Sequence, residues 1–237
     1  MLKLSQIQKD IKQIENPEKA KILSRFFKTG KGEYGEGDQF LGLTVPESRK
    51  IAVKYKDLPF SETGKLLVSK IHEHRLIALL ILVNNFKTGD ATGQKEIYKF
   101  YLGHTKYINN WDLVDLSADK IVGAYLLHRP RKNLYTLARS QNLWERRIAM
   151  ISTYQFIKEK KEYKDTFQIA EILLLDKHDL IQKAVGWMLR EVGKRASKEA
   201  LVKFLSKNYK RMPRTMLRYS IEHFPEKERR GYIEGKV

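Results

Sequence analysis

Apolar positions recur at helical spacing along nearly the whole chain, and no convincing pair of segments alternates as strands require. The pattern predicts an all-α protein. Leu4 to Glu15 and Pro17 to Phe27 read as an amphipathic helical hairpin, with Asn16 as N-cap and Pro17 at the first helical position. Further helices are expected over Pro46–Lys56, Ser61–Ser69, Glu73–Phe86, Gly93–Leu102, Ile108–Leu127, Arg131–Arg139, Leu143–Lys158, Lys164–Leu175, Asp179–Lys194, Lys198–Lys207, Pro213–His223 and Pro225–Gly235. Lys28 to Leu43 reads as a loop with five glycines. It has neither the GxxxxGK[ST] spacing nor a preceding strand, which argues against a phosphate-cradling nucleotide site.

Several helices open alike: Pro46-Glu-Ser-Arg49-Lys-Ile-Ala, His72-Glu-His-Arg75-Leu-Ile-Ala, Leu143-Trp-Glu-Arg-Arg147-Ile-Ala and Leu180-Ile-Gln-Lys183-Ala-Val-Gly. A return at roughly 25 to 40 residues is the mark of a helical repeat, in which stacked helix pairs build a curved solenoid. One domain spanning residues 1–237 is expected, with Arg49, Arg75, Arg147 and Lys183 brought to one side. The competing reading leaves each of these cations solvated in the first turn of its helix.

Composition adds a partner. Lys and Arg number 46 against 28 Asp and Glu, a formal net charge of +18 that opposes compaction unless a polyanion offsets it. Nucleic acid is the first candidate and an anionic membrane surface the second. The excess is concentrated near the C-terminus, where Lys177 to Val237 hold 16 basic residues against 7 acidic ones; Arg190, Arg195, Arg211, Arg214 and Arg218 belong to this segment. The longest purely apolar run, Leu76 to Val83, is too short to span a bilayer, and the first residues lack an apolar signal core, so a soluble cytoplasmic protein is expected. With no cysteine, disulfides, thiolate nucleophiles and cysteine-ligated clusters are excluded.

Candidate chemistry is sparse. His72-Glu73-His74 puts two imidazoles on different helix faces, no HExxH or GxSxG motif occurs, and no metal or cofactor is expected. Trp144 reads as a core residue. Trp187 lies four residues after Lys183 and three before Arg190, sharing a helix face with cations rather than leucines. Trp111 and Asp115, also four apart, stack an indole and a carboxylate on one side of a helix, while Asp112 lies about 100° round and suits pairing with a cation or capping. A carboxylate beside an aromatic face can stabilise developing positive charge where it meets a basic groove; facing solvent, it is structural.

Asn110-Trp111-Asp112-Leu-Val-Asp115, Leu143-Trp-Glu-Arg-Arg147, Gln182-Lys-Ala-Val-Gly-Trp187-Met-Leu-Arg190-Glu and Lys28-Thr-Gly…Gly35-Glu-Gly-Asp-Gln-Phe-Leu-Gly together resemble the signature segments of the AlkD family of DNA alkylation repair glycosylases. The likeness covers nearly the whole chain. It implies a right-handed superhelical solenoid of HEAT-like helix-pair repeats whose concave basic face holds duplex DNA. It also implies hydrolysis of the N-glycosidic bond of cationic alkylated purines, 3-methyladenine and 7-methylguanine, by a monomer that works from the backbone side without flipping the lesion. On this resemblance the catalytic carboxylate maps to Asp115, the sugar- and lesion-contacting tryptophans to Trp111 and Trp187, and a backbone-gripping arginine to Arg147. Lys183, Arg190 and Arg214 are the further expected DNA contacts. The rival expectation is a non-catalytic repeat module that binds DNA or RNA backbone or branched DNA; a third is a scaffold for acidic peptides.

Overall fold

A computed structural model describes residues 4–237, and among them it is all-α, with one isolated parallel bridge between Gln39 and Ile71. The chain forms two compact units, Met1–Ser117 and Ala118–Val237.

The first unit contains α1 (Leu4–Gln13), α2 (Pro17–Phe26), α3 (Val45–Lys54), α4 (Phe60–Leu67), α5 (His72–Thr88), α6 (Ala91–Gly103) and α7 (Trp111–Asp115). The Asn16 side chain caps α2 by accepting from the Lys19 N–H, as the hairpin reading expects. At the unit's centre lies α5, against which α3, α4, α6 and α7 pack. Its run Leu76–Leu82 is buried throughout because residues apolar on every side need neighbours on every side. That burial extends to the polar first turn, His72, Glu73, His74 and Arg75, so each of these side chains needs an internal partner.

The second unit begins with a π-helical turn, Asp119–Gly123, and continues through α8 (Ala124–Leu126), α9 (Lys132–Ala138), α10 (Leu143–Ser152), α11 (Tyr154–Lys160), α12 (Lys164–Ile172), α13 (Asp179–Arg195), α14 (Lys198–Asn208), α15 (Arg214–Ser220) and α16 (Glu226–Glu234). Here α13 is central, with α10, α12, α14 and α15 packed on it. Gly186 permits the closest of these approaches: a Cβ there would lie 2.6 Å from the Met216 carbonyl oxygen and 2.5 Å from the Tyr219 Cβ. Trp144 is buried, as expected of a core residue.

Two expected helices are divided, for one physical reason. Ile108–Leu127 becomes α7, the π turn and α8, with a 3₁₀ turn over Thr105–Tyr107 just ahead of it. Asn110 is extended and its side chain accepts the Trp111 N–H, which sets the start of α7; Ser117 turns its hydroxyl back onto the Leu113 carbonyl at the other end. Leu143–Lys158 is interrupted at Thr153, whose hydroxyl donates to the Met150 carbonyl, next to Ser152 donating to Ile148. Hydroxyls that bond backbone carbonyls compete with the helical ladder, a local effect to which hydrophobic periodicity is blind.

Candidate active site

The Gly-rich segment is anchored at its C-terminal half. The Glu73 carboxylate accepts the backbone N–H groups of Leu41, Gly42 and Leu43 at 2.8–3.2 Å. Gly42 is required there: its φ is +88°, and a Cβ would lie 2.1 Å from the Asn16 carbonyl oxygen. These three donors are therefore occupied by a side chain of the protein itself rather than open to a phosphate.

Asp38, from the same segment, is the centre of a buried polar cluster. One of its oxygens accepts from Arg75 at 2.7 Å, and the other meets His72 Nδ1 at 3.1 Å. The Nδ2 groups of Asn109 and Asn110 approach the same carboxylate at 3.5 and 3.4 Å. The other ring nitrogen of His72, Nε2, lies 2.8 Å from Asp112, whose second oxygen accepts the Leu113 N–H. Burial opposes charging the His72 imidazole, but the carboxylates of Asp112 and Asp38 outweigh it and push its pKa up to about 9. Burial likewise works against ionising Asp38, yet His72 and Arg75 hold its pKa below the ordinary carboxylate value. His74, two residues on, is the opposite case: burial first, then the nearby Arg75 charge, pull it down to about 4.

Aromatic rings continue the cluster. His72 stacks on Phe40 at 4.5 Å between centroids and lies 5.1 Å from Phe27, and Phe27 stacks on Trp111 at 5.2 Å and 25°. Phe26, exposed at the end of α2, meets the same indole edge-on. These rings and Leu23, Leu43 and Leu76 enclose a half-open, largely apolar cavity of about 430 Å³, with Asp112, Asp115 and Glu73 among its lining side chains. Trp111 and Asp115, the pair expected to carry chemistry, are both half-buried and both on its wall. Asp112 is buried and paired with a cation, the supporting role its position suggested.

The second unit holds the other expected site residues. Lys183, Trp187 and Arg190 are half-buried along one side of α13, opposite Ile181, Val185, Met188 and Leu189, which face the core. Trp187 lies 6.4 Å from the Tyr154 ring, over which the Arg195 guanidinium sits at 5.5 Å. The cations are already engaged: Lys183 with Asp179 at 2.9 Å, and Arg190 with Glu222 and Glu191. Arg147 is 5% exposed and donates to the Leu180 carbonyl, tying α10 to α13. Arg214 is exposed, with one guanidinium nitrogen on the Ile233 carbonyl.

Two features differ from the sequence reading. Arg75 does not join a solvent-facing row with Arg49; it is buried against Asp38, whereas Arg49 is exposed. The Asp38–His72–Asp112 chain was missed because its members are far apart in sequence. A signal was nonetheless present: an apolar run too long for one helix face marks α5 as central, so the polar residues opening it had to be buried and paired. Among the described residues no group of three or more His, Asp or Glu side chains is placed to hold a metal ion, and no helix is long and apolar enough to cross a membrane.

An all-α fold with one central helix in each unit, α5 and α13, places the chain among helical-repeat proteins. The model of the DNA alkylation repair enzyme family matches residues 7–224, and the chain belongs to that family. Among solved structures, one described as a predicted DNA alkylation repair enzyme from Enterococcus faecalis is 19% identical, with a TM-score of 0.67 over 90% of this chain and 97% of that one, which shows a shared fold. No curated protein matches the chain.

Proposed function

We propose that the protein is a monofunctional, metal-independent DNA glycosylase, which hydrolyses the N-glycosidic bond of cationic alkylated purines in duplex DNA and leaves an abasic site. The observation that carries the reading is the placement of Trp111 and Asp115 on one wall of a largely apolar cavity. Family membership supports an enzyme of alkylation repair, and the indole and carboxylate on one cavity wall support glycosylase chemistry.

A purine alkylated at N3 or N7 is already cationic, so it departs as a neutral base without a general acid. As the C1′–N bond lengthens, positive charge passes to the deoxyribose, and water adds its oxygen to C1′ and loses a proton. Asp115 supplies the negative field that favours this charge. At roughly 4 Å and an effective dielectric of about 20, a unit charge pair is worth about 4 kcal/mol, or roughly a thousandfold in rate. The indole face of Trp111 adds about 0.5–2 kcal/mol through its quadrupole. Lys183, Arg190 and Arg214 serve the phosphate backbone, whereas Arg147, buried and bound to the Leu180 carbonyl, holds α10 against α13.

The test is base release from duplex containing 7-methylguanine or 3-methyladenine, with and without Asp115→Asn. A fall of 100-fold or more in single-turnover rate, with duplex affinity retained or raised, is expected. Equal rates in the two proteins remove Asp115 from the chemistry, and binding without base release by the unmodified protein favours a non-catalytic DNA-binding module.

A further inference from the structure

The helix that carries Trp111 and Asp115 has only five residues, too few to hold its own conformation. Its geometry must come from what grips it. Two grips meet at His72. The first is polar: Nε2 donates to Asp112 within α7, while Nδ1 donates to Asp38, which also receives Asn110, the N-cap of α7. The second is aromatic: His72 contacts Phe27, which stacks on the Trp111 indole.

We infer that His72, clamped between Asp38 of the Gly-rich segment and Asp112 of α7, is a positioning residue that sets the orientation of Trp111 and Asp115. A ring nitrogen facing a carboxylate on each side donates to both only as the imidazolium. Removing the ring's second proton leaves one carboxylate without its donor and removes the cation from the face of Phe27. The clamp is thus complete when His72 is charged and half-released when it is neutral. The raised pKa of His72 agrees with that arrangement. The charged groups around the ring are Asp38 from the loop, Asp112 from α7, and Glu73 and Arg75 from α5, with Asp115 on the same cavity wall. Of these, Arg75 is the member that opposes protonation, and Asp38 screens it by pairing with it. This also gives the Gly-rich segment a role that no phosphate-loop reading supplies: it delivers Asp38.

The inference rests on the glycosylase reading for its consequence in activity, so the experiment carries two readouts. Single-turnover base release is measured from pH 6 to pH 10 for the unmodified protein, His72→Gln and Asp38→Asn, together with duplex Kd. In parallel, the protein is labelled with 5-fluorotryptophan and its ¹⁹F spectrum titrated, the Trp111 line being assigned by Trp111→Phe. In the unmodified protein the rate should fall, and the Trp111 line shift, with one midpoint near pH 9. His72→Gln should lower the rate at neutral pH at least tenfold with Kd changed less than twofold, and lose the alkaline limb of both profiles; Asp38→Asn should fall between the two. A Trp111 line indifferent to pH overturns the inference, as does a His72→Gln protein that keeps the full rate. If His72→Gln does not fold, Asp38→Asn and the titration of the unmodified protein decide. Absence of base release from every protein ends the glycosylase reading alone, because the ¹⁹F titration still reports whether His72 governs Trp111.

Discussion

Two histidines two residues apart, His72 and His74, are driven in opposite directions by their surroundings, and together they define a pH window for the first unit. Folding raises the His72 pKa from 6.5 to about 9, so its stabilisation is complete below pH 6.5 and is lost as pH climbs toward and past 9. A shift of that size corresponds to about 3 kcal/mol. Folding lowers the His74 pKa from 6.5 to about 4, so its contribution holds above pH 6.5 and is lost as pH falls through 4. Denaturant melts from pH 4 to pH 10 should therefore show a maximum near neutrality, and His72→Gln should flatten the alkaline side while leaving the acid side in place. The sequence showed the two histidines but not their fates: partners 34 and 40 residues away, Asp38 and Asp112, decide that of His72, and burial, with Arg75 beside it, decides that of His74. Trp111, Asp115 and Trp187 were legible as single residues because helical spacing alone tells which neighbours share a face.

Among the elements, helices whose apolar residues keep one period were read nearly to the residue: α13, expected as Asp179–Lys194, runs Asp179–Arg195, and α5 was displaced by only one or two positions. Where the sequence reading failed, at Ser117 and Thr153, a hydroxyl ends the ladder without disturbing the hydrophobic pattern. Gly186 stands in the segment that resembles a family signature, and its place in the fold is the close contact of α13 with α15. Gly186→Ala should cost about 1–3 kcal/mol by overpacking, seen as a lowered denaturation midpoint with an unchanged slope, although the helix interior would otherwise favour alanine.

For the molecule as a whole, the count of 46 basic residues overstates what is free to meet DNA. Arg75 is committed to Asp38, Arg131 to Glu162 and Asp165, and Arg146 to Asp176, all inside their own units. Lys183 is held by the exposed Asp179, and Arg190 by the exposed Glu222 and the buried Glu191; the two exposed pairs are worth little in water and are therefore exchangeable for phosphates. Asp179→Asn should accordingly tighten duplex binding, whereas Lys183→Ala should weaken it on every sequence and reduce the slope of log K against log salt by about 1. Titration of a fluorescent duplex at several salt concentrations measures both. Tighter binding by Lys183→Ala would remove that residue from the interface.

Surface loops are usually where a chain accepts extra residues, because nothing downstream depends on their length. In the Gly-rich segment that freedom is local. Three successive amides must fall in register over one carboxylate, and Asp38 must arrive three residues earlier beneath His72, so one inserted residue between 38 and 43 would misalign the Glu73 contacts or the grip on α7. The exposed tip at residues 30–33 carries no such constraint. Length variation among working versions of this protein, natural or engineered, belongs at that tip, and a tag or reporter inserted there would leave α7 where it is.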